Sequence, residues 1–171
     1  MIARRLIPAL DVFLFGKYMI DREARKRAAE TIRHYVCGII TNKEFERRYP
    51  ISKTDPVIHA LDDSLWATYE DIFTHKLIGK NAASQEMKER IARWQMFLYS
   101  GKEYQWPQIS DSGFRDLHID LWIGDIIRSI FGYGTKSSKF MAHGDYDVWP
   151  FMRREEFEEA RKKPFLLKGN I

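Results

Sequence analysis

Apolar residues recur at three- and four-residue intervals over most of this chain, and that spacing predicts helices. Asp21 opens the first as an N-cap, in a run to about residue 40 that puts Ala24, Ala28, Ile32, Tyr35, Val36 and Ile39 on one arc. Arg22, Lys26 and Arg33 fall on the opposite side, where solvent belongs, and Gly38 weakens the last turn. Thr41-Asn42-Lys43-Glu44 has capping-box spacing: Thr41 reaches the backbone three residues on, and Glu44 reaches back. The short helix it starts must stop before Pro50. Asp55-Pro56 joins an Asp cap to a proline at the first helical position and opens a helix to about residue 75. Ser84 caps another, which reaches residue 99 and ends at Ser100-Gly101. Residues 102–113 read as extended or turn, and 114–131 as a long apolar helix broken by Gly132-Tyr133-Gly134. Residues 135–148 read as loop, and 150–163 as a last, charged helix that Pro164 ends.

No stretch alternates strongly enough to require a sheet, although two short strands near 102–109 and 139–149 are compatible with the pattern. Tyr-Gln-Trp-Pro at 104–107 is echoed by Tyr-Asp-Val-Trp-Pro at 146–150, but nothing else repeats at that spacing. The expected fold is all-α, or mainly α with a minor β-hairpin: a compact single-domain bundle of five to six helices over residues 20–171. Residues 1–19 stand apart. Arg4-Arg5 precede an apolar run, residues 6–15, that Asp11 interrupts and Pro8 stiffens. That run falls short of the roughly 20 apolar residues of a membrane span. It reads as a segment packed on the domain, or as non-native if the natural start is Met19.

Composition narrows the class. A chain of 171 residues that is 44% hydrophobic and 14% aromatic is not mainly disordered. Its single cysteine, Cys37, excludes an intramolecular disulfide and a zinc site of paired thiolates, and fits a cytoplasmic setting. The net charge is +4, unevenly spread: residues 1–53 carry 12 basic and 6 acidic side chains, residues 54–150 carry 10 and 14. Arg22, Arg25, Lys26 and Arg33 are the candidates for contact with nucleic acid. The excess is too modest for a strong footprint, so neither nucleic acid nor a membrane is the expected partner.

A few polar residues fall where apolar ones are expected. Asp62 lies inside the apolar arc formed by Val57, Ile58, Leu61, Leu65, Trp66, Tyr69, Ile72 and Phe73. A carboxylate buried there needs a donor, and as an acid or base it would carry a shifted pKa. Arg90 projects within the arc of Met87, Ile91, Trp94, Phe97 and Leu98, from which its head can reach a carboxylate such as Asp62. Helix 114–131 is apolar on two flanks with His118, Trp122, Asp125 and Ser129 between them. His118 and Asp125 share a face about 10.5 Å apart along the axis. Asp62, Arg90, His118 and Asp125 thus outline the pocket of an enzyme or ligand-binding domain, or serve as structural hydrogen-bonding groups. His143, Asp145 and Asp147 alternate as metal ligands can, without the helical His or Glu pair that usually accompanies them. Residues 132–139 hold glycines, hydroxyls and lysines, but not at P-loop spacing. Glu155, Glu156, Glu158 and Glu159 precede Arg161, Lys162 and Lys163 in the order the helix dipole favours, which needs no catalytic explanation. There is no nucleophile elbow, and no cofactor is expected.

Three stretches carry a resemblance: Ile39-Ile40-Thr41-Asn42-Lys43-Glu44-Phe45, Leu65-Trp66-Ala67-Thr68-Tyr69-Glu70-Asp71, and Phe97-Leu98-Tyr99-Ser100 leading to Tyr104-Gln105-Trp106-Pro107. Over about residues 20–108 the chain resembles a group of small uncharacterised bacterial helical proteins. The resemblance implies a small cytoplasmic helical domain and carries over no functional residue. With no catalytic constellation and an abundance of aromatic side chains, the expected function is a non-enzymatic protein–protein interaction module. Trp66, Tyr69, Trp106, Trp149 and Phe151 are its expected contact residues, since aromatic side chains anchor interfaces. The rival readings are the polar pocket and a weak nucleic-acid binder.

Overall fold

The structure, a computed structural model, describes residues 19–66, 73–107 and 140–163. They form five α-helices: α1 (Arg22–Val36), α2 (Asn42–Arg48), α3 (Pro56–Trp66), α4 (Gln85–Ser100) and α5 (Arg154–Lys162). Short 3₁₀ turns occupy Gly79–Asn81 and Tyr146–Val148, and no strand occurs among the described residues. The fold is all-α.

Local chemistry sets the helix ends. The Asp21 carboxylate accepts the Ala24 N–H at 2.9 Å. Helix α1 stops at Val36 rather than near residue 40, because Gly38 turns the chain with φ +67°. Both halves of the capping box at Thr41 and Glu44 form. Ser84 accepts from the Met87 N–H at 3.1 Å, and Gly101 ends α4 in the left-handed conformation. Residues 73–78 carry no helix, so α3 does not extend to residue 75. The last helix begins at Arg154 rather than at residue 150, after a turn through Pro150.

Helix α1 packs on α2, α3 and α4, and α4 also packs on α5. One hydrophobic cluster runs through the described helices. At one end Tyr35, Phe45 and Tyr49 stack with successive ring centroids 5.1 Å apart, and the Tyr49 hydroxyl donates to the Ile58 carbonyl at 2.9 Å. At the other end Trp94 meets Trp149 edge-on at 5.4 Å, and Phe97 meets Phe151 at 5.1 Å.

The two segments compatible with strands do come together, but through side chains rather than a ladder. Trp106 Nε1 donates to the Phe151 carbonyl at 3.1 Å, and Trp149 Nε1 donates to the Tyr104 hydroxyl at 3.3 Å. Trp106 also faces Tyr146 at 6.2 Å and Phe140 at 4.9 Å. The two echoed Tyr…Trp-Pro motifs are therefore crossed, each tryptophan meeting the other motif's tyrosine.

A buried ion pair joins α1 to the start of α3. Arg25 Nε and Nη2 donate to Asp55 at 2.5 and 3.0 Å, and both side chains are 2% exposed. Arg25 Nη1 donates to the Lys102 carbonyl at 2.7 Å, and the guanidinium lies 5.3 Å from the Phe97 ring centre. Asp55 also accepts the Asp21 N–H at 3.1 Å. The expected helix cap thus holds its place in sequence but spends its carboxylate on α1.

Candidate functional site

The structure describes some of the candidate residues and not others. Trp106, Trp149 and Phe151 are buried, at 3%, 4% and 0% exposure. They are core residues and offer nothing to a partner, because their rings fill the space between α4 and the chain around residues 140–151. Tyr69 and the side chain of Trp66 lie outside the described residues, as do His118, Asp125 and the stretch 132–139. Arg25 is excluded from nucleic-acid contact by its burial against Asp55, while Arg22, Lys26 and Arg33 are exposed on α1.

Asp62 and Arg90 belong to different neighbourhoods. Asp62 is half-buried near Tyr49, whose phenol is pushed well up by burial and, less strongly, by the charges of Asp62, Asp63 and Asp55. Arg90 makes its ion pair with Glu86, one turn back on α4, at 3.0 Å, rather than with Asp62. The described residues thus assemble no pocket from the polar candidates.

The alternating acidic residues serve an arginine. Arg154 Nε lies 3.0 Å from Asp145 Oδ2, and its Nη2 lies 3.4 Å from Asp147 Oδ2. Asp145 Oδ1 also accepts the Asp147 N–H at 3.2 Å. His143 faces the Trp106 ring at 6.3 Å. A guanidinium therefore takes the oxygens that a metal would need, and no group of three or more metal-binding side chains occurs among the described residues. An open groove of about 590 Å³ beside this loop has Gln105, His143 and Arg153 on its walls. Both of its arginines are paired locally, Arg153 with Glu156 at 3.1 Å and Arg154 with Asp145.

The feature that sequence reasoning missed is an apolar corner where α1 turns into α2. Ile39, Phe73 and Ile78 are 57%, 66% and 58% exposed. Polar contacts tie the backbone around Ile39 and Phe73. Asn42 is fully buried; its Nδ2 donates to the Phe73 carbonyl at 3.0 Å, and its Oδ1 accepts the His75 N–H at 2.9 Å. The Asn42 N–H donates to the His75 carbonyl at 3.1 Å, and Lys76 Nζ to the Ile39 carbonyl at 2.9 Å. Ile78 packs so closely on Gly38 that a β-carbon there would stand 2.4 Å from its Cγ2. Ile39 and Phe73 had looked like core positions because helical periodicity was extended past the true ends of α1 and α3. Gly38 was the signal that could have moved Ile39 off the buried arc.

Two exposed lysines, Lys76 and Lys80, stand on either side of Ile78 in the chain. Cys37, the chain's single cysteine, is exposed beside this corner. No helix among the described residues is long and apolar enough to cross a membrane. Comparison with family models, curated proteins and solved structures gives no match.

Proposed function

We propose that this chain is a protein-docking module whose contact face is the corner of Ile39, Phe73 and Ile78. Its partner presents an apolar centre and an acidic rim, complementary to Lys76 and Lys80. One observation carries the reading: three large apolar side chains stand exposed at one corner, where the buried Asn42 fixes the backbone at Phe73 and His75 and Lys76 holds the Ile39 carbonyl. Burying each on a partner is worth about 1.5–3 kcal/mol. Because the backbone is already tied down, less ordering entropy opposes binding. A free surface thiol at Cys37 fits a reducing cytoplasmic setting.

Cys37 also supplies the test. A photo-crosslinker on this thiol is expected to capture one protein from the source organism. That protein, once purified, should bind with an affinity that falls at least tenfold in Phe73→Glu and in the charge reversal Lys76→Glu/Lys80→Glu. Equal binding by these variants overturns the reading. So does retention on anionic lipid vesicles without any protein partner, which would assign the same corner to a membrane surface.

A further inference from the structure

Arg90 and Arg93 stand one turn apart on α4, on the edge that also carries Phe97 and faces the chain around residues 145–151. Arg93 is fixed there, its Nε donating to the Trp149 carbonyl at 2.8 Å. Its two Nη groups have no protein acceptor among the described residues. The Trp149 N–H donates in turn to the Tyr146 carbonyl at 3.0 Å, so one tight turn carries both the anchor of Arg93 and Tyr146. The Tyr146 ring packs against both Trp106 and Phe140, at 6.2 and 6.0 Å. Its hydroxyl comes within electrostatic reach of both Arg90 and Arg93 and makes no protein hydrogen bond among the described residues.

The electrostatics of this cluster are unbalanced. Burial holds Arg93 below the ordinary guanidinium value, and the charge of Arg90 lowers it further; Tyr146 and Asp147 offset part of this, and Arg154 adds a smaller lowering. Burial raises the Tyr146 phenol, so at neutral pH it is a hydroxyl donor. The carboxylates that face the cluster are engaged at its edges, Glu86 by Arg90 and Asp147 by Arg154. Both are more than 80% exposed. Water screens them, and they do little to neutralise the half-buried guanidinium. A fixed guanidinium fork with free donors, a second arginine and a neutral phenol together match a tetrahedral oxyanion.

We infer that Arg90, Arg93 and Tyr146 form a binding site for a phosphate group carried by a small molecule. Arg93 supplies a pre-oriented pair of donors, Arg90 a second charge that shifts from Glu86 to the anion, and Tyr146 a neutral hydrogen bond. The site shares no residue with the docking corner, so either can fail without the other.

Inorganic phosphate is the probe. In the ¹⁵N-labelled full chain, the arginine Nε–H signals are followed while sodium phosphate is added, against sodium chloride at matched ionic strength. Saturable shifts of Arg90 and Arg93 with phosphate alone are expected. Arg90→Gln removes only an open pair with Glu86 and should leave the fold intact while weakening phosphate about tenfold. Tyr146→Phe keeps the ring packing and should weaken it about fivefold. Shifts that chloride reproduces, that fail to saturate, or that persist unchanged in both variants overturn the inference.

Discussion

Replacing Asp55 with alanine tests the central packing argument most directly. It leaves the Arg25 guanidinium enclosed, with the Lys102 carbonyl and the Phe97 ring but no counter-charge. Breaking a buried pair in this way costs about 3–5 kcal/mol, because the abandoned charge keeps its desolvation penalty. The Asp21 N–H loses its acceptor as well, which adds to the loss at the start of α1. In a chain of 171 residues, a loss of that size lowers Tm by roughly 10 °C. Urea unfolding followed by far-UV circular dichroism measures it, with an unchanged m-value as the sign that both end states are preserved. The double variant Arg25→Met/Asp55→Leu separates pairing from packing. It removes both charges and fills the space with apolar groups, so its loss should be smaller than that of Asp55→Ala alone. A loss below about 1 kcal/mol for Asp55→Ala, or a double variant as damaged as the two single changes added together, would refute the reasoning.

Further outcomes follow from other contacts. Gly38→Ala should lower Tm more than Gly79→Ala: both glycines have positive φ, but only at Gly38 does the new β-carbon meet a neighbour, at 2.4 Å, and thermal melts decide. Thr41→Ala removes half of the capping box and should cost about 1 kcal/mol in urea unfolding. Burial raises the phenols of Tyr49, Tyr104 and Tyr146, the last to about 12. The unfolded chain loses these protons near pH 10. Their contribution is therefore complete below about pH 10 and falls as pH rises toward the folded values. Tyrosinate absorbance should increase cooperatively with loss of the helical signal; eight tyrosines titrating independently near pH 10 with the fold intact would contradict this.

How much of this was legible depends on whether the informative contact is local. The α1 arc could be read because Ala24, Ala28, Ile32, Tyr35 and Val36 repeat at helical spacing, and all five are buried. The caps at Asp21, Thr41 and Ser84 could be read because each acts within three residues. Arg25 could not be read in the same way: its partner Asp55 is 30 residues away, and an arginine followed by Lys26 and Arg27 looks like a solvent position. Asp55-Pro56 gave a correct helix start for a reason that hid the carboxylate's main use. Tryptophans at 106 and 149 carried no mark of side, since an aromatic ring suits a core and an interface equally. Arg90 could be picked out as a charged residue within an apolar arc, but the Tyr146 phenol it acts on comes from a turn more than fifty residues further on.

The meeting of Trp106 with Phe140, at 4.9 Å between ring centres, has a consequence for how the described body holds together. Tyr146 packs on both rings, so the stretch that ends at residue 107 and the stretch that begins at residue 140 share one aromatic joint. Truncating any one of the three rings loosens the seat of the other two, and the two stretches then part together rather than singly.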